Sequence, residues 1–266
     1  MAMLPIPIDV LEHILGHLDK ASLAKICQLN KICCSYAQNV LYRNIRIVND
    51  ENLKVCETLA QSTHLARRVR LFDISISTQR TIPNELLQTP LQNMTNLRTL
   101  VLFCSADLSV LDGCTFRLKK FHGNYYQSEH LLVPFLHSQP SLTDVAIGPS
   151  SNDVAFASTC LPKLTRIFVT HFSWLPQLIP NRPVSEVIST ESVGDGDSVD
   201  LSFFTLSAAP IRKLSINHLY LYSKPVPLLA SIFSSLTYLC LEYKDYFESK
   251  ETVRFITVII FSILIG

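Results

Sequence analysis

Apolar residues along this chain follow two different periods, and the change from one to the other divides it. From Leu4 to Ile47 the spacing is helical: Ile8, Leu11, Leu15 and Leu18 recur at intervals of three, four and three, while Val10 and Ile14 form a second apolar pair on a neighbouring face. One face suffices for an internal core, so the other is predicted to meet a partner. Pro7 suits a first helical turn, where its missing N–H costs nothing, and Gly16 with Asp19 weakens the helix near its end. Ser22 is expected to cap a second short helix through Leu29. A third is expected from Lys31 to Leu41, with the apolar pairs Ile32/Cys33, Tyr36/Ala37 and Val40/Leu41 stepping by four.

Past Val48 the pattern becomes apolar, two others, apolar, one other, apolar. Clear copies are Leu97/Leu100/Leu102, Leu142/Val145/Ile147, Leu164/Ile167/Val169, Ile211/Leu214/Ile216 and Leu236/Leu239/Leu241. Weaker ones are Ala66/Val69/Leu71, Leu118/Phe121/Gly123 and Val184/Val187/Ser189. The copies begin at residues 66, 97, 118, 142, 164, 184, 211 and 236, so successive starts lie 31, 21, 24, 22, 20, 27 and 25 residues apart. Proline precedes several of them, at Pro140, Pro162, Pro183 and Pro210, where it ends whatever helix came before. The segments between them, notably Asn84 to Leu91, Glu129 to His137 and Leu228 to Phe233, carry leucines or phenylalanines suited to short backing helices. Strand followed by helix at this period predicts an α/β stack with a parallel sheet on one side.

All intervals but the first fall in the window of about 20 to 29 residues that belongs to leucine-rich repeats, which these copies resemble. They depart from that pattern eight residues after the first apolar position. The expected Asn or Cys is replaced there by Ser105, Tyr126, Ser150, Phe172 or Leu219, so an irregular curvature is expected. The helical segment resembles the F-box, the motif that ties a substrate receptor to the Skp adaptor of Skp–cullin–F-box ubiquitin ligases. The resemblance runs in order through Ile6-Pro7-Ile8-Asp9-Val10-Leu11, Ile14-Leu15 and Leu18-Asp19, then Leu23, Leu29, Tyr36-Ala37 and Leu41-Tyr42-Arg43. The family's third-helix aromatic falls near Cys33, and its tryptophan before the final arginine is Tyr42. Degenerate repeats of this kind resemble those behind many fungal-type F-boxes. The plainer readings are a generic three-helix cap on a repeat protein and a non-repetitive α/β domain.

The fold expected is therefore α/β: a three-helix F-box over residues 1–48, an irregular leucine-rich-repeat solenoid with a parallel sheet over 49–254, and an apolar tail over 255–266. The resemblance implies that Pro7, Ile8, Leu11, Ile14 and Leu15 bind a Skp-type adaptor and, through it, a cullin. A protein target would then be held by the repeats. In strands of this pattern the apolar positions point inward, and the residues between and just after them share the open face. That face is expected to carry Arg68, Arg70, Phe72, Phe103, His122, Tyr125, Arg166, Phe168, His171, His218, Tyr238 and Tyr243. Aromatic and arginine side chains dominate protein interfaces because they bury a large area with few rotors and keep a polar handle.

Composition narrows the alternatives. At 266 residues and 48% hydrophobic the chain can bury a large core, and a net charge of +1 removes the electrostatic reason to expect nucleic acid or an anionic membrane as partner. Seven glycines form no phosphate-cradling motif, and no G-x-S-x-G elbow occurs, so neither nucleotide chemistry nor an esterase or protease is expected. The reading is of a non-enzyme without cofactors. Eight cysteines without a C-x-x-C pair are expected as reduced core residues of a cytoplasmic or nuclear protein, with the sequon at Asn93-Met94-Thr95 inert. His13 and His17 stand one helical turn apart, but Glu12 precedes the first of them, so this is not H-E-x-x-H and no metal is expected. The aspartates of Gly194–Asp200 lack the EF-hand glycine and glutamate and read as a polar loop. Phe255 to Ile265 is almost wholly aliphatic but too short for a bilayer. It reads as a final buried element, a marginal anchor or the stump of a longer repeat array. The last is favoured because repeat arrays end in polar caps. Other classes left open are an F-box scaffold without a ubiquitination role and a membrane-attached protein using this tail.

Overall fold

The computed structural model describes residues 7–76, 82–123, 129–148, 156–157, 159–190, 201–217, 235–244 and 253–258. The chain is mixed α/β and falls into two units, Met1–Leu118 and Lys119–Gly266. The three helices read from the sequence thus belong with the first three strands.

In the first unit, α1 (Ile8–Gly16) starts directly after Pro7, which lies at its N-cap. α2 (Lys20–Ile26) is capped by Asp19 and not by Ser22: the Asp19 Oδ1 accepts the Ser22 N–H at 2.7 Å, and the Ser22 hydroxyl donates to Oδ2 at 3.2 Å. Carboxylate caps are strong because the first N–H groups of a helix have no partner within it. These hydrogen bonds hold the Asp19 carboxyl below its ordinary pKa. α3 (Lys31–Arg43) is capped the same way by Asn30, whose side-chain oxygen accepts from the Cys33 N–H at 2.8 Å. The helices close on Leu15, Leu23 and Ala37, with Leu11, Ile26, Cys27, Tyr36, Val40 and Leu41 around them.

α3 runs without a break into β1 (Asn44–Ile47), which is followed by α4 (Lys54–Gln61), α5 (Thr63–Ala66), β2 (Leu71–Ser75), α6 (Asn84–Asn93) and β3 (Thr99–Phe103). β1, β2 and β3 are parallel neighbours, with Ile45, Phe72 and Leu100 in one row and Ile47, Ile74 and Leu102 in the next. All six side chains are buried. Behind them lie Cys56 and Leu59 of α4 and Leu87 and Leu91 of α6, also buried. The Asn93 amide of the sequon donates to the carbonyls of Leu59 and Ala60 at 3.3 and 3.1 Å, locking α6 to α4.

The second unit repeats the plan with β4 (Lys120–Gly123), α7 (Glu129–His137), β5 (Asp144–Ile147), β6 (Arg166–Val169), α8 (Leu175–Leu178), β7 (Glu186–Ser189), β8 (Lys213–Asn217) and β9 (Tyr238–Lys244). Strands β4 to β9 are parallel, aligning Phe121, Val145, Ile167, Val187, Leu214 and Leu239 in a single row. β10 (Val253–Val258) then adds antiparallel to β9, so the start of the apolar tail is a strand. Leu228 to Phe233 and the Gly194–Asp200 loop lie outside the described residues. Among those described, no helix is long and apolar enough to cross a membrane.

A ladder of hydroxyls ties neighbouring strands together at the residue directly before each. The side chains of Thr143, Thr165 and Ser185 each donate to the carbonyl of the matching residue one strand back, Lys119, Thr143 and Thr165, at 3.1, 3.0 and 3.3 Å, and Thr237 does the same to Arg212 at 3.0 Å. Each closes the gap where a chain enters its strand.

Candidate functional site

The helical module has a finished interior and an unfinished exterior. Leu11 and Leu15 of α1 point into its core, whereas Val10 and Ile14, one turn apart on the other face, are 43% and 48% exposed. Leu18 just beyond the helix, and Leu29 and Ile32 around the α2–α3 connection, are exposed as well. Five large aliphatic side chains left in water on so short a stretch are the mark of an interaction surface. Of the residues expected at an adaptor contact, Pro7 and Ile14 are exposed. Ile8 lies in α1 with its side chain outside the described residues. Leu15 requires correction: at 3% exposure it is interior, because both faces of α1 are apolar and spacing alone does not say which turns inward.

In the second unit the open face of the sheet carries an alternating ladder of charge. Lys120, Asp144, Arg166, Glu186 and Lys213 are mutual neighbours in register across β4 to β8. Asp144 is met by Lys120 at 3.4 Å, His122 at 3.0 Å and Arg166 at 3.5 Å, and Glu186 by Arg166 at 2.8 Å and Lys213 at 4.0 Å. Opposite charges on adjacent strands favour this register. Two residues further along each strand, a second row on the same face reads His122, Ala146, Phe168, Ile188, Ser215 and Cys240. An apolar strip beside a charged one is the usual build of a protein-binding surface.

Burial by itself would raise the Asp144 pKa, but the His122 hydrogen bond and the Lys120 and Arg166 charges outweigh it and hold the carboxyl below its ordinary value. A carboxylate with a depressed folded pKa contributes stability above its unfolded value and loses it as pH falls through the folded one. Asp144→Asn should therefore cost about 1 to 3 kcal/mol at pH 7, a deficit that begins to shrink only as pH falls through about 4, the unfolded carboxylate value, and closes below the depressed folded one. Melting temperatures of both proteins between pH 7 and pH 3 check this; parallel curves would show that the ladder is not an electrostatic support.

The structure distributes the expected target-facing residues unevenly. Arg166, His122, Phe168 and Tyr238 share the open face of the second unit, with His171 two residues beyond β6. In the first unit Arg70 and Phe103 are exposed. Phe72 is a correction: it is 0% exposed and pairs with Leu100, so the true copy is Val69/Phe72/Ile74, three residues on from the one expected. Arg68 has another task, donating to the Ser35 carbonyl at 2.6 Å, to the Ser35 hydroxyl at 3.4 Å and to the Asn39 side chain, which clasps α3 to the turn after α5. Tyr125 and His218 lie outside the described residues, as does the side chain of Tyr243, whose backbone pairs with Arg254.

Sequence reasoning overlooked Lys120, Asp144, Glu186 and Lys213. Aligning the copies would have found them, since each directly precedes the second apolar position and their signs alternate. His13 and His17 rest edge to face, 4.8 Å between centroids, and no group of three or more metal-binding side chains occurs among the described residues. The eight cysteines are free, and burial pushes the thiols of Cys56 and Cys114 up to about 12 and that of Cys104 to about 11, which keeps them protonated and unreactive. Compared with known proteins, the chain matches no family model and no curated sequence.

Proposed function

We propose that this chain is a non-enzymatic substrate receptor of a Skp–cullin–F-box ubiquitin ligase, with residues 1–48 as the F-box and the strand-and-helix copies after it as an irregular leucine-rich-repeat solenoid that holds a protein target. The observation that carries the reading is the outer face of α1. Val10 and Ile14 project from a helix whose core contacts are already made by Leu11 and Leu15, so their exposure serves no internal purpose. Ile14 is one of the residues that the resemblance to the F-box implies meet the adaptor, and Val10 lies one turn before it on the same exposed face. The in-register rows of the two units support the repeat half of the proposal, and the charged and apolar strips across β4 to β9 supply the surface for a target. Ubiquitin transfer then belongs to partner enzymes, and this chain contributes proximity and orientation.

Val10→Asp with Ile14→Asp tests the docking surface better than any change at Leu11, which would also disrupt the module's core. A carboxylate buried in an apolar contact costs several kcal/mol, so the pair should lower adaptor affinity by at least about a hundredfold. The measurement is copurification of coexpressed Skp adaptor and cullin, with the melting temperature of the variant alone held near that of the wild type. An unchanged yield of adaptor on the folded variant sinks the proposal. Ubiquitinated clients that disappear with the same variant separate a ligase receptor from a scaffold.

A further inference from the structure

In the second unit the residue directly before a strand is usually a hydroxyl, as the Thr143, Thr165, Ser185 and Thr237 ladder shows. The first unit fills the same position with Arg43, Arg70 and Arg98. Their backbones are tied strand to strand, the Arg70 N–H donating to the Arg43 carbonyl and the Arg98 N–H to the Arg70 carbonyl, both at 2.9 Å. Three like charges on adjacent strands, about 4.8 Å apart, repel one another. Where a cation takes this position in the second unit, at Lys119 and Arg212, its neighbour within that unit is a hydroxyl residue instead.

These arginines line a cleft of about 810 Å³ within the first unit, together with Arg67, Arg68 and His64. Among the described residues, not one aspartate or glutamate lines it. Arg68 is held by Ser35 and Asn39, and among the described residues no ion pair or hydrogen bond engages the guanidinium groups of Arg43, Arg67, Arg70 or Arg98. The contrast with the alternating ladder of β4 to β8 is direct: there every cation meets a carboxylate. Guanidinium forks match phosphoryl oxygens two at a time, and a cleft of this volume fits a small ligand. A nucleic-acid duplex needs an extended basic surface, which the net charge of +1 does not suggest.

We propose that this cleft binds a compact polyanion carrying two or more phosphoryl groups, gripped by Arg70 and Arg98 and surrounded by Arg43 and Arg67. The assignment stands independently of the receptor reading. Tripolyphosphate titrated into the full chain by calorimetry at low ionic strength tests it. One saturable site is expected, weakened at least tenfold by Arg70→Ser with Arg98→Ser. Gly16→Glu should weaken it by a similar factor and guards against misfolding of the first variant. Gly16 lines the same cleft, and a Cβ there meets no atom within 4 Å, so the new carboxylate adds negative charge without disturbing the packing. Lys163→Ser with Arg212→Ser removes the same charge from exposed positions elsewhere and should change nothing. The absence of saturable binding, unchanged affinity in either cleft variant, or an equal loss in the control pair overturns the proposal. A singly phosphorylated serine peptide that binds tenfold more tightly than tripolyphosphate overturns the compact ligand in favour of a modified protein segment.

Discussion

Replacing Arg182 by Met is expected to destabilise the second unit by about 3 to 5 kcal/mol, a large part of a domain's whole margin. Arg182 is 1% exposed and carries a full charge, yet no carboxylate meets it among the described residues. Backbone carbonyls solvate it instead. Its Nε donates to Cys160 at 2.7 Å, Nη1 to Gln177 and Pro180 at 2.8 and 3.1 Å, and Nη2 to Ala157 at 2.9 Å. Its own carbonyl accepts from the Ala208 N–H at 2.9 Å and the Ser207 hydroxyl at 3.1 Å. The side chain thus gathers the turn before β6 and the end of α8, and the main-chain carbonyl of the same residue holds the turn before β8. Burial lowers the guanidinium pKa, but from so high a value that the group stays charged at neutral pH. Methionine fills similar space and relieves the cost of burying a charge, but it strands the carbonyls of Cys160, Gln177 and Pro180 at about 1 to 3 kcal/mol each, Ala157 still accepting from the Cys160 N–H, so the loss outweighs the gain. Arg182→Lys, with a point charge and three donors, should recover part of the loss. Urea midpoints decide the matter, and a cost for Met below about 1 kcal/mol would mean that the carbonyls find other partners.

The strands were legible where the apolar spacing was unambiguous. Seven of the copies read from the sequence, beginning at Leu97, Leu118, Leu142, Leu164, Val184, Ile211 and Leu236, became β3 to β9 in the expected register. The eighth slipped by three because Leu71 and Phe72 are adjacent and both apolar, leaving the alternation without a sign. With Val69 as its first position the distance to Leu97 becomes 28, inside the expected window, a check that the anomalous 31 invited. β1 was hidden inside the helical module because α3 runs into it with no turn residue between them. Arg182 was invisible for a different reason: its partners are carbonyls, which every residue has, so no side-chain pattern points to them. The arginines of the basic cleft were half legible. Arg68 and Arg70 stood out by residue type, but their different duties, a clasp and a cation with no ion pair among the described residues, depend on contacts with α3 and β3 that only the fold supplies.

Truncating Leu100 or Leu214 to Ala should cost about 2 to 5 kcal/mol, each in its own unit, through lost burial and the cavity left behind. Both are fully buried in the middle of their strands, flanked in register by Phe72 in the first case and by Val187 and Leu239 in the second. Their packed surroundings leave little room to collapse into the gap, which places the cost toward the upper part of that range. Val101→Thr and Ser215→Asn, one residue on, act on the half-buried open face and should stay within about 1 kcal/mol. On the receptor reading they should instead change target capture, and Phe168→Ser more so, since Phe168 lies between Ala146 and Ile188 in the least polar part of that row. Denaturant midpoints of the two series, set beside capture of a client by the full chain, test strand alternation and the binding face together. If Val101 and Ser215 prove as costly as Leu100 and Leu214, the open face is covered by something other than solvent, and the candidate surface loses its basis.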